Sequence, residues 1–83
     1  MRIYMQLPSA DERPPRFYQL VLQKDLLGGW TLIRESGAQG GPGRVQRQHF
    51  EDHDSALDAL VQWRDRQLRK GYRVVFAEGE VSA

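Results

Sequence analysis

Four groups of residues in this 83-residue chain have types and spacings that could do chemistry. The glycines Gly37, Gly40, Gly41 and Gly43 suggest a phosphate cradle. Such a loop needs a strand before it, a helix after it and a Gly-Lys-Ser/Thr ending. Here the strand-like run RVQRQHF follows and no lysine is present, so the cluster predicts a hairpin turn. His49 and His53 are four apart, the spacing of two metal ligands on one helix face. Between them the chain passes from a strand end to a helix start, so a metal pair is not predicted. Glu51, Asp52, Asp54 and Asp58 imitate a general acid/base group, but carboxylates at the start of a helix cap its free amides and favour its dipole. No serine sits beside a histidine–acid pair. The expectation is a non-enzymatic chain with no metal and no cofactor.

The fourth group is basic. Between Arg13 and Phe50 the basic residues are Arg13, Arg16, Lys24, Arg34, Arg44 and Arg47, against only Asp25 and Glu35; from Ala59 to Phe76, Arg64, Arg66, Arg69, Lys70 and Arg73 face Asp65 alone. The net charge of +1 therefore hides a local basic surface. Arginines offer forked, permanently charged donors to phosphates, and accessible aromatics stack on bases or sugars. Arg34, Arg44 and Arg47 are the first candidates for nucleic-acid contact, with Lys24 second. Arg34 and Arg47 are expected on adjacent strands projecting to one face. Tyr18, Trp30 and Trp63 are the candidate aromatics, though each also sits where a core residue would.

These side chains need elements to hold them. A chain this short makes one domain, here spanning 1–83, and a core of its size rarely supplies more than about 3–5 kcal/mol. There is no cysteine, so no disulfide or thiolate site is available. The N-terminus is too short in apolar residues for a signal sequence or a membrane span, which makes a cytoplasmic protein the default. Arg2–Leu7 reads as a strand, and Pro8–Pro15 as an extended crossing that carries it toward an edge. Arg16–Lys24 is the strongest strand, with Tyr18, Leu20 and Leu22 on one face. Asp25–Gly29 turns the chain, Trp30–Glu35 returns antiparallel, the tip runs from Ser36 to Gly43, and Arg44–Phe50 completes a meander.

One helix is predicted over Glu51–Lys70, capped by Asp52 or Asp54 and stopped by Gly71. Its apolar stripe is Ala56, Leu57, Leu60, Val61, Trp63 and Leu68. Arg64 falls within that stripe as a core-edge arginine whose head reaches a carbonyl or carboxylate. Asp58, Gln62, Asp65, Arg66 and Arg69 face water. Tyr72–Phe76 closes as a strand, and Ala77–Ala83 reads as frayed. The fold class is α+β: a twisted antiparallel sheet of about five strands with one helix on its apolar face.

The run FYQLVLQKDLLGGWTLIRE, the Gly-x-x-Gly turn, a basic strand, an ALDAL-type helix and a KGYRVVF ending together resemble the WGR domain family, over about Arg16 to Phe76. The resemblance implies an antiparallel sheet flanked by a helix, and nucleic-acid binding; in poly(ADP-ribose) polymerases the domain looks to a DNA strand end. The signature Trp-Gly-Arg tripeptide falls at Ser36, Gly37 and Ala38, where only Gly37 matches, and Gly40 closes the turn. Gly37 and Gly40 carry over as turn-formers. A missing stacking aromatic removes roughly 1–3 kcal/mol of nucleic-acid affinity.

The expected function is weak nucleic-acid binding through the basic meander. DNA, at ends or nicks, or RNA would be the partner, with no membrane association. The rival is a protein-interaction module that uses a sheet edge or the glycine-rich turn to dock another protein.

Overall fold

A computed structural model describes residues 1–9 and 11–79. Strands β1 (Arg2–Leu7), β2 (Arg16–Lys24), β3 (Trp30–Ala38) and β4 (Arg44–Phe50) precede helix α1 (His53–Arg69), and β5 (Arg73–Glu78) follows it. They form one five-stranded antiparallel sheet in the order β4-β3-β2-β1-β5, with α1 packed on one face. The expected α+β architecture is present. Among the described residues no helix is long and apolar enough to cross a membrane.

The period-2 alternation decides which face is covered. Ile3 and Met5 of β1, Tyr18, Leu20 and Leu22 of β2, and Leu32 of β3 are buried against Ala56 and Leu60 of α1. Leu20, Leu32 and Leu60 are 0% exposed, and each contributes about 1.5–3 kcal/mol through burial. The helix begins one residue after Asp52, whose carboxylate accepts the Ser55 amide at 2.7 Å and the Ser55 hydroxyl at 2.9 Å. It ends at the Lys70 cap, and Gly71 follows with a φ of +102°. Within the stripe Leu68 is exposed, while Gln67, one position earlier, is buried.

Several boundaries differ from the sequence expectation. The strand β1 is not at an edge: it lies between β2 and β5, because β2 pairs along one side of it and the C-terminal strand along the other. Strand β3 runs three residues past Glu35. The early residues of β2 supply it with partners, Arg16 opposite Ala38, Phe17 opposite Gly37 and Tyr18 opposite Ser36. The tip is correspondingly shorter, and the Gln39 amide bonds back to the Pro15 carbonyl at 2.8 Å. Ala77 and Glu78, expected to fray, belong to β5, while Glu80–Ala83 lie outside the described residues.

Candidate nucleic-acid interface

The register of the meander separates the arginines that the sequence grouped. Arg34 sits opposite Gln46, and Arg47 sits opposite Ile33. Residues opposite one another share a face, so Arg34 points to the side of α1 and Arg47 to the uncovered side. The expectation that they converge on one face is therefore corrected. Arg44, opposite Ser36, lies on the face of Arg34, and Lys24, opposite Trp30, lies at the other end of the sheet. Arg44 and Arg34 are diagonal neighbours there, at a spacing of about 7–8 Å between Cα atoms.

What Arg34 does meet is Trp63. Its guanidinium carbon lies 3.7 Å from the ring centroid, and that of Arg66 lies 4.6 Å from the same ring. Arg66 follows Trp63 by three positions, so the two share one flank of α1. A ring face attracts a cation by about 0.5–2 kcal/mol, depending on desolvation. Among the described residues no carboxylate lies within ion-pair distance of either guanidinium. Arg64, by contrast, pairs with Asp65 at 3.0 Å, as a core-edge arginine should.

Beneath this pair, the Tyr18 hydroxyl and Arg34 Nε are buried without a hydrogen-bond partner. Burial pushes the Tyr18 phenol above its ordinary value, and the neighbouring Arg34 guanidinium pulls the other way. Outside the pair, Gln48, Ala59, Gln62, Trp63 and Arg66 line a hollow of about 290 Å³ between β4 and α1. On the same helix, the Asp58 carboxylate accepts from the Gln62 amide at 2.9 Å, and the Asp65 carboxylate is taken by Arg64. Two like charges thus share one aromatic ring beside an open hollow.

Of the aromatics proposed from sequence, Tyr18 is core at 6% exposure, Trp30 packs against the core and meets the His53 ring edge-on, and Trp63 alone carries cations. Arg66, expected only to face water, joins the ring as well, and its i+3 spacing from Trp63 is the sequence signal for that contact. His49 Nδ1 lies 2.8 Å from Asp25 Oδ2. The Asp25 carboxyl is held below its ordinary value, first by the Gly29 amide and also by the Leu27 amide and His49.

The signature positions lie at the end of β3. Gly40 takes a φ of +81° and closes the turn as expected. Gly37 does not form the turn: it is a paired strand residue, buried, where a Cβ would come within 3.0 Å of the Pro42 carbonyl oxygen and 3.4 Å of the Phe17 ring. Close approach rather than positive φ is what favours glycine there. Ser36 and Ala38 flank it on the opposite face, that of Arg44 and Arg16. The family model of the WGR domain matches residues 1–79.

The chain belongs to the WGR domain family. That family is associated with nucleic-acid binding. The match covers all five strands and the helix. No curated protein and no solved structure matches this WGR domain. Its basic side chains are therefore read from its own geometry.

Proposed function

We propose that this WGR domain is a non-enzymatic module that binds nucleic acid weakly through its phosphates, with Arg34, Arg66 and Arg44 as the contacts. One observation carries the reading: two guanidiniums gathered on Trp63 with no carboxylate, among the described residues, within ion-pair distance of either. Like charges held together gain from a polyanion that neutralises both, and arginine meets phosphate with paired donors. The family association points the same way. Arg47 and Lys24 stand apart from this cluster and take no part in it.

The test is fluorescence anisotropy with labelled DNA over a salt series. Three phosphate contacts give a slope of log K against log salt near −2.7, from about −0.9 per contact on B-DNA. Arg66→Gln and Arg44→Gln, both at exposed positions, should each reduce the slope by about 0.9. Salt-independent binding, or none to nicked, blunt or single-stranded DNA at low ionic strength, would exclude the reading.

The second reading, a protein-docking module, is favoured by the exposure of every residue of edge strand β5. Capture of a defined protein partner after nuclease treatment, lost when β5 is altered, would support it.

A further inference from the structure

The sheet face opposite α1 carries more apolar surface than a solvated antiparallel sheet requires. Tyr4 and Phe17 stack there with centroids 6.1 Å apart and planes 10° from parallel. Phe76 stands opposite Tyr4 on β5 and is 45% exposed, and the Arg2 guanidinium lies 5.7 Å from its ring centroid. Arg2, Tyr4, Gln19 and Phe76 line an open hollow of about 350 Å³. The Gln39 amide donates to the Tyr4 hydroxyl, which fixes that ring against the β3–β4 tip.

We infer that this hollow is a stacking site for unpaired nucleobases of single-stranded nucleic acid, separate from the phosphate contacts at Trp63. It rests on the nucleic-acid reading above and names the class of strand. Exposed rings on a sheet offer flat faces to bases, which every base can match. The Arg2 guanidinium adds a second planar cation to the wall, and the Gln19 amide can both donate to and accept from a base edge. A base inside a duplex has both faces covered by its neighbours, so only an unpaired one can enter.

Charge argues for this occupant over a second copy of the chain. Arg47, Arg2 and Arg73 stand on the same face, opposite Ile33, Val21 and Gln6. Of the acids on that face, Glu78 sits opposite Arg2, and Glu35 places its carboxylate against Gly43 at the tip. A twofold dimer through this face would bring the arginines of both copies together, whereas a phosphate backbone meets them with opposite charge.

The experiment compares labelled oligothymidylate with a duplex of equal length by anisotropy, on the intact chain and on Phe76→Ala. Phe76 is at the exposed edge, and circular dichroism melts of the variant check that the fold is kept. Loss of the ring should weaken oligothymidylate by about five- to 150-fold and leave duplex affinity and its salt slope unchanged. Phe76→Trp should restore single-strand affinity, with its indole emission quenched by the bound strand. Equal affinity of Phe76→Ala and wild type for oligothymidylate, with duplex still bound, overturns the stacking site and leaves the phosphate reading standing. Failure to bind either nucleic acid overturns both. A dimer in sedimentation that Phe76→Ala dissolves assigns the face to self-association and overturns the inference.

Discussion

Arg34 shows how one side chain can serve binding at the expense of the fold. Its Nε is buried without a hydrogen-bond partner among the described residues, and its charge shares one indole with a second guanidinium. Leaving a buried donor unsatisfied costs about 1–3 kcal/mol, which the ring contact offsets only in part. Replacing such a group with an apolar one of similar shape is neutral or stabilising. Arg34→Met is therefore expected to leave the urea midpoint unchanged or raised, while the salt slope for DNA shrinks by about 0.9. A lower midpoint with an unchanged slope would mean that Arg34 is a structural residue only. Arg34→Lys separates charge from shape: it keeps the cation but loses the plane that lies on Trp63. Its slope should stay near that of the wild type while Trp63 emission shifts, read in a Trp30→Phe background.

Among the elements, the helix and the β2–β3 turn depend on ionised carboxylates. Asp52 is held below its ordinary value of 3.8 by the Ser55 amide first and the Ser55 hydroxyl second, and Asp25 is likewise held down, by the Gly29 amide first. A carboxyl whose folded value lies below its unfolded one stabilises the fold above the unfolded value. That contribution is lost as pH falls through the folded value. Stability measured by urea should therefore decline as pH falls through and below the ordinary carboxyl range, and the decline should be shallower in Asp25→Asn/Asp52→Asn, where neither group titrates. An acid limb of equal steepness in the double variant would assign the loss to other carboxylates. These elements were largely legible in the sequence. Alternation and flanking prolines or glycines gave β1, β2 and β4 their bounds, and the Asp52 cap and Gly71 stop framed the helix to within two residues. The pairing was not legible, because it depends on non-local partners: β3 continues to Ala38 only because Arg16–Tyr18 lie beside it. Whether Arg47 shares the face of Arg34 turns on a single step of register, and the length of the glycine-rich tip sets that step.

At the scale of the whole molecule, the sheet has two faces of unequal use. Every buried apolar side chain of β1, β2 and β3 points to α1, so one helix of 17 residues covers the entire core. Among the described residues no element covers the other face; Tyr4 and Phe17 stand there at positions of opposite parity to the core residues of their strands, and Phe76 joins them because a bulge shifts the β1–β5 register between Tyr4 and Met5. Stability and the proposed stacking site are thus carried by different sides of one sheet, and substitutions should separate them. Leu60→Ala removes a fully buried side chain, at a cost of about 2–5 kcal/mol. Against the roughly 3–5 kcal/mol that a core of this size supplies, the variant should be largely unfolded at room temperature by circular dichroism. Ligand binding should then work against that loss: nucleic acid at a hundredfold excess over its Kd adds about 2.7 kcal/mol to the folded state. Single-stranded DNA at that excess is therefore expected to recover helical signal in Leu60→Ala, and Phe76→Ala in the same background should reduce the recovery at the same DNA concentration without further loss of signal in the free protein. Recovery undiminished by Phe76→Ala would mean that the strand stabilises the fold without using the open face.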